Sequence, residues 1–225
     1  MSASPSLPAR RIPLVVKLAF TGFMAVLVPF YWITYGPTNF LYYCDVALFF
    51  TLAAVWTEIP LLAGMPAAGI LVPQLLWVAD FLCGLTGLHF LGMTNYMFKD
   101  SIPLFSRGLS LFHGWLPFFL VWLVYRLGYD RRSWLGWTVL AWGLILICYF
   151  LMPPPPAPVD HPNQPVNINY VYGLKDDAPQ TWMPPLAWVA LHLVGLPLVL
   201  FLPAHLTLAR LFGRERGNAE IAQIS

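Results

Sequence analysis

Six apolar stretches, each long enough to cross the hydrocarbon core of a bilayer, constrain this chain more than any other feature. A membrane-spanning α-helix needs about 20 mainly apolar residues. The helix is favoured because it bonds every backbone polar group within the segment. The predicted spans are Pro13–Ile33, Thr38–Trp56, Met65–Gly87, Pro103–Tyr125, Trp134–Met152 and Pro184–Phe212. The sequence therefore predicts an all-α, polytopic membrane helix bundle of about six spans.

The composition excludes several other classes of protein. Hydrophobic residues make up 59% of the 225 residues and charged residues 10%, against about 25% charged residues in soluble domains. The net charge of +2 and the lack of a basic stripe give no sign of a nucleic-acid partner, and the lipid bilayer is the expected one. Cys44, Cys83 and Cys148 lie within apolar runs, which favours neither a disulfide framework nor a zinc ribbon. The first apolar run lacks a small-residue cleavage site, so we interpret it as a retained span.

The distribution of lysine and arginine predicts the orientation. If the N-terminus is cytoplasmic, nine of the twelve basic residues lie inside, and only Lys99, Arg107 and Lys175 lie outside. Cytoplasmic loops carry the excess of basic residues, so both termini are predicted to be cytoplasmic. The predicted organisation is a cytoplasmic segment 1–12, a transmembrane domain 13–212 with outer loops 88–102 and 153–183, and a cytoplasmic tail 213–225.

The second outer loop contains two distinct patterns. Four prolines, Pro153–Pro156, end the fifth span because proline cannot continue a helix. The segment Val166–Gly173 alternates apolar and polar residues, which predicts a short strand or an extended lid. Alternatively, Asn167 and Asn169 only cap turns of a surface loop.

Four ionisable side chains fall inside the predicted spans: Asp45, Asp80, His113 and His192. At a rise of about 1.5 Å per residue, all four lie about 10–15 Å below the outer ends of their helices. Each costs about 2.5–3.5 kcal/mol to insert, so it is expected to face the bundle interior and have a partner. Their common depth predicts a polar pocket open to the outside.

Three residues of this pocket are the candidate catalytic groups. His113 is suited to acid/base chemistry because its pKa lies near neutrality, and Asp45 and Asp80 would orient it or hold a metal. The other predicted lining residues are Asn39, Tyr42, Arg107, Ser110, His192, Asn167, Asn169 and Tyr170. In the alternative interpretation, the aspartates pair with Arg107 or His113 only to fix helix packing. Another alternative makes Cys44 a nucleophile with His113 as its base.

Several strings resemble a bacterial family known only as membrane-associated proteins. They are Tyr35–Phe40, Phe112–Phe118, Pro153–Pro156 and Asn167–Gly173. The resemblance extends over nearly the whole chain. It implies a location in the bacterial inner membrane and no assigned activity.

A shorter resemblance is carried by Tyr35-Gly36, Phe40-Leu41, Asp45 and Leu116–Phe118. These residues resemble the androgen-induced family of multispan lipid hydrolases. The chain also resembles the YwaF-like membrane family. The threonine of the hydrolase family falls on Tyr42, and His113 lies one residue from the position of its histidine. The resemblance therefore does not assign that chemistry here.

Three functional hypotheses follow. The leading one is a hydrolase or transferase acting on a lipid or acyl chain. The second is a transporter of a small solute, coupled to protons through the same residues. The third is a structural or assembly protein whose polar residues only pack helices. No pattern in the sequence indicates a cofactor.

Overall fold

The computed structural model describes residues 12–88 and 90–213. Within them the chain is helical, with no strand. The helices are α1 (Leu14–Tyr35), α2 (Tyr43–Thr57), α3 (Pro60–Leu85), α4 (Leu104–Ser110), α5 (Phe112–Leu127), α6 (Ser133–Leu151), α7 (Pro185–Gly195) and α8 (Leu202–Phe212). A π-helical segment, Leu196–Phe201, joins α7 to α8. Single 3-10 turns lie at Pro37–Leu41, Asn95–Phe98 and Ile168–Tyr170.

Five helical stretches of the described chain are long and apolar enough to cross a membrane, which confirms a multi-pass helical architecture. They are Leu14–Tyr35, Pro60–Leu85, Leu104–Leu127, Ser133–Leu151 and Pro185–Phe212. The predicted terminal segments 1–12 and 213–225 lie almost entirely outside the described residues. We call the end of the bundle that carries the segments between α3 and α4 and between α6 and α7 the long-loop end.

The second predicted span differs from the structure. It was expected to be continuous over Thr38–Trp56, but α2 has only 15 residues, about 22 Å of helix. The chain leaves α1 at Gly36, whose φ of 83° is accessible mainly to glycine. It then forms the 3-10 turn and passes through an extended Tyr42. Apolar composition alone could not indicate this interruption.

α3 lies at the centre of the bundle and packs against α2, α5, α6 and α8. Its buried face carries small residues, including Gly64, Ala67 and Gly69, which allow neighbouring helices to approach closely. The indole of Trp137 on α6 lies directly against Gly69, in the space that a β-carbon would fill. The small-residue face therefore fixes α6 against α3 and positions the elements of the site.

At the end opposite the long loops, a partly buried ion pair joins two elements of the bundle. Lys17 Nζ lies 2.7 Å from Glu58 Oε1, with the two side chains 5% and 19% exposed. Glu58 Oε1 also accepts a hydrogen bond from the Ile12 backbone N–H at 3.3 Å. Glu58 caps α2 in a left-handed conformation, so this pair ties the start of α1 to the turn between α2 and α3.

Candidate polar site

Asp45 is the only one of the three candidate catalytic residues with a carboxylate oxygen that the described chain leaves unbonded. It lies in the first turn of α2 and is 3% exposed. Oδ2 accepts a hydrogen bond from Asn39 Nδ2 at 3.2 Å and lies 3.9 Å from Cys44 Sγ. Oδ1 is buried and has no hydrogen-bond partner within residues 12–88 and 90–213. A buried polar atom of this kind requires an explanation, because most such atoms are satisfied.

Four tyrosine side chains interact electrostatically with Asp45 or with its neighbour Cys44. Tyr31 on α1 and Tyr42 before α2 lie within electrostatic range of Asp45. Tyr96 and Tyr170, from the two long loops, lie within electrostatic range of the adjacent Cys44. We call Asn39, Cys44, Asp45 and these four tyrosines the polar centre.

The two loop tyrosines keep their phenolic protons at neutral pH. Burial raises the pKa of Tyr170 to about 12, and it also raises the pKa of Tyr96 above its ordinary value. A neutral hydroxyl both donates and accepts a hydrogen bond. The polar centre therefore offers one carboxyl group among neutral hydroxyls, and no ion pair in the described part of the chain involves Asp45.

Ser110 on α4 links the polar centre to α5. Its hydroxyl lies 3.2 Å from the hydroxyl of Tyr31, and its side chain also interacts with Tyr96. One turn earlier, the hydroxyl of Ser106 bonds to the hydroxyl of Tyr35. Ser106 and Ser110 thus face two tyrosines of α1 at four-residue spacing.

Asp80 binds the backbone of the loop that follows α3. Its Oδ1 accepts hydrogen bonds from the N–H groups of Leu91 and Gly92, at 2.5 and 3.0 Å. Its Oδ2 accepts from the N–H and the hydroxyl of Thr94, both at 2.8 Å. Four hydrogen bonds occupy both oxygens, so Asp80 anchors this loop over the bundle.

His113 lies in a stack of aromatic rings. Its ring stacks on Phe112 and on Trp77, with centroids 4.0 and 5.1 Å apart. Trp77 stacks on Phe81 at 5.2 Å, and Phe81 stacks on Phe98 of the long loop at 5.6 Å. The five rings form what we call the aromatic ladder, from the long-loop end to the start of α5.

The polar contact of His113 is local. Its Nδ1 lies 2.8 Å from the backbone oxygen of Ser110. If Nδ1 carries the proton, it donates to that oxygen, and Nε2 remains an acceptor. No described hydrogen bond or ion pair joins His113 to Asp45 or Asp80.

The expected strand at Val166–Gly173 is wrong. This segment is a compact turn in which Asn167, Asn169 and Tyr170 adopt positive φ angles. Its apolar side chains, including Ile168 and Val171, are buried against α6 and α7 rather than alternating between two faces. Asparagine tolerates the left-handed conformation better than most residues, which agrees with the alternative interpretation that Asn167 and Asn169 form turns.

Two asparagines hold the turn in place. Asn169 Oδ1 accepts a hydrogen bond from the N–H of Tyr43 at 3.0 Å, and its Nδ2 donates to the Leu41 oxygen at 2.9 Å. Asn169 thereby caps α2 from the distant loop. Asn167 bonds within the loop, donating to the Gly173 oxygen at 2.9 Å and accepting from the N–H of Tyr172 at 2.8 Å.

The remaining predicted residues have structural contacts. His192 Nδ1 lies 3.1 Å from the Trp188 oxygen, and the two rings are in edge contact at 4.6 Å. Arg107 donates to the Met97 backbone oxygen at 3.1 Å. No ion pair between Arg107 and either aspartate is formed in the described structure.

The structure thus gathers part of the predicted pocket. Asn39 bonds Asp45, Tyr42 interacts electrostatically with it, and Ser110 is joined to the group through Tyr31. Tyr170 interacts electrostatically with both Cys44 and Asp80, and no described hydrogen bond joins Asp80 to Asp45. Tyr31 and Tyr96 were missed. The four-residue spacing of Tyr31 and Tyr35 matches that of Ser106 and Ser110, and this match could have indicated Tyr31. Within the described residues no three His, Cys, Asp or Glu side chains form a group that could hold a metal.

Comparison with known proteins adds no relative. No family model matches the chain, and no curated protein or solved structure matches it either. The resemblances drawn from the sequence remain expectations.

Proposed function

We propose that this multi-pass membrane protein binds a positively charged amine at the polar centre, with Asp45 as the neutralising carboxylate. The proposed ligand is a protonated or quaternary ammonium group, free in solution or carried by a lipid headgroup. The alternatives, an acyl-directed enzyme and a structural protein, make different predictions for the same substitutions.

The unbonded Oδ1 of Asp45 carries this proposal. An ionised carboxylate without a partner in a low-dielectric interior costs several kcal/mol. The polar centre contains hydroxyl, amide and thiol groups but no described cationic partner for Asp45. A ligand with one positive charge would supply the missing interaction.

The surroundings favour an amine over a bare metal ion. Divalent ions take four to eight ligands, commonly including several carboxylates or imidazoles. The described residues offer no such group. Tyrosine rings attract ammonium groups through their π-faces, and their hydroxyls accept N–H bonds.

The proposed location is the outer face of the bacterial inner membrane. The bias of lysine and arginine predicts that the long-loop end lies outside, where zwitterionic lipids of the outer leaflet present their amine groups. The bilayer is therefore both the proposed surroundings and a source of the ligand.

A lipid- or acyl-directed hydrolase or transferase is the weaker proposal. Such an enzyme needs its nucleophile and its base within hydrogen-bond reach. Asp80 is occupied by the loop backbone, and no described hydrogen bond joins His113 to Cys44, Asp45 or Asp80. These contacts favour binding over acid/base catalysis.

The test compares Asp45→Asn with the wild-type chain, purified whole in detergent. Choline and ethanolamine are titrated while unfolding is followed by tryptophan fluorescence, with Na⁺ and K⁺ in separate titrations. Both amines are expected to raise the unfolding temperature of the wild type and to leave that of Asp45→Asn unchanged. Without ligand, Asp45→Asn is expected to unfold at about the same temperature as the wild type, because a buried carboxyl group without a partner takes up a proton and, like the amide, carries no charge.

Asp100→Asn is the matched control, since it removes an exposed carboxylate from the loop at the same end. It should respond to amines like the wild type. If Asp45→Asn responded to amines like the wild type, or if only Na⁺ or K⁺ stabilised the protein, the amine proposal would be overturned. A structural role for Asp45 predicts that the substitution lowers stability with no effect of any titrant.

A further inference from the structure

A polar cleft at the long-loop end lies next to the polar centre but is not part of it. Its volume is about 460 Å³, within the range of small-ligand pockets. One wall comes from the last turn of α1 and the other from the loop after α6. The lining residues are Thr34, Tyr35, Asp160, His161, Pro162, Asn163 and Gln164.

The loop wall of the cleft is set by two successive turns. The N–H of His161 donates to the Pro158 oxygen at 3.0 Å, and the N–H of Gln164 donates to the His161 oxygen at 3.0 Å. These bonds hold the Asp160 carboxylate at the rim, where it is 80% exposed and 3.7 Å from the His161 imidazole. The cleft therefore presents a negative charge together with amide and hydroxyl oxygens.

Tyr35 connects the cleft to the polar centre. Its ring packs edge-on against Tyr31, with the centroids 5.4 Å apart. Its hydroxyl bonds to Ser106. Tyr31 in turn bonds Ser110 and lies within electrostatic range of Asp45. These contacts join the cleft to Tyr31, which belongs to the polar centre.

We infer that this cleft is the outer recognition subsite for the same amine, with Asp160 attracting the ligand before it reaches Asp45. This inference rests on the proposed function. A carboxylate at a polar rim raises the local concentration of cations, and the ring of Tyr35 offers a face to an ammonium group.

The test is Asp160→Asn in the whole chain, with Asp177→Asn as a matched control that removes an exposed carboxylate from the same loop. An exposed charge contributes little, so Asp160→Asn is expected to weaken choline binding by about threefold to fivefold at low salt. Raised ionic strength should remove the difference. Asp177→Asn should bind like the wild type.

The source of the amine is distinguished in two arms. Soluble choline and ethanolamine are titrated in detergent. Nanodiscs of phosphatidylglycerol alone are compared with nanodiscs that also contain phosphatidylethanolamine. A lipid ligand predicts that the wild type is stabilised by phosphatidylethanolamine and less so after Asp160→Asn, whereas a free amine predicts the effect only in the first arm.

The outcomes separate the two proposals. Loss of amine binding in Asp45→Asn with unchanged binding in Asp160→Asn overturns the subsite and leaves the proposed function standing. Unchanged binding in both variants overturns both. Weaker binding in Asp160→Asn alone would make the cleft a separate site, which contradicts the subsite as inferred.

Discussion

Asp80→Asn tests whether this buried carboxylate anchors the loop after α3. The substitution keeps the shape of the side chain but replaces Oδ2, which accepts from both the N–H and the hydroxyl of Thr94, with an NH₂ group. The hydroxyl can rotate to accept a bond, but the backbone N–H then faces another donor. The bonds from Leu91 and Gly92 remain but lose the charge of their acceptor.

The expected size of the effect follows from these four bonds. A hydrogen bond to a charged group contributes about 1.5–3 kcal/mol and a neutral one about 0.5–1.5 kcal/mol. One lost bond and three weakened bonds together give a loss of about 3 kcal/mol in the free energy of loop opening. That loss corresponds to about a hundredfold faster exchange of the amide hydrogens of Leu91, Gly92 and Thr94.

Hydrogen exchange followed by mass spectrometry, on peptides covering residues 90–98 of the whole chain in detergent, measures this change. Asp100→Asn removes an exposed carboxylate from the same loop and should leave the exchange rates unchanged. Exchange in Asp80→Asn within about threefold of the wild type would refute the anchoring role, because it corresponds to less than about 0.7 kcal/mol.

Two further predictions concern packing and the opposite end of the bundle. Gly84→Ala should destabilise the protein by about 1–3 kcal/mol in thermal unfolding, because the new methyl group would overlap the ring of Phe98. Combining Gly84→Ala with Phe98→Ala should relieve the overlap. Gly22→Ala serves as the control, because open space surrounds Gly22. Lys17→Met and Glu58→Gln should each destabilise the protein by about 1.5–3 kcal/mol, because each removes a hydrogen bond between charged groups, whereas the double variant should lose less than the sum of the two; a loss equal to that sum would contradict a paired interaction.

The sequence predicted the helical spans well because each is a long apolar run with few competing signals. Predicted spans one, three and five lie within a few residues of α1, α3 and α6. The start of α2 could not be predicted, since it depends on the side chain of Asn169, 126 residues away from Tyr43. The composition around Tyr43 cannot indicate a hydrogen bond from a side chain so distant in sequence.

The candidate site was predicted less well, for a physical reason. The depth of a residue along a helix can be computed from the sequence, but the direction in which its side chain points from the helix axis depends on how the helices pack. Asp45 and Asp80 do lie near the same end, yet Asp80 binds the loop backbone, whereas Asp45 bonds the side chain of Asn39. Nothing in the composition distinguishes a carboxylate that binds backbone N–H groups from one left unbonded.

The aromatic ladder has a consequence for how the long loop can move. Phe98 belongs to the loop, while Phe112 and His113 belong to α5, and the rings between them are stacked face to face. Lifting the loop would expose the face of Phe81 and leave a void beside Gly84, so loop motion and ring separation are coupled. A ligand that displaced the loop would therefore also separate rings inside the bundle. Trp77 lies in the middle of the ladder, so a change in its fluorescence would indicate that separation.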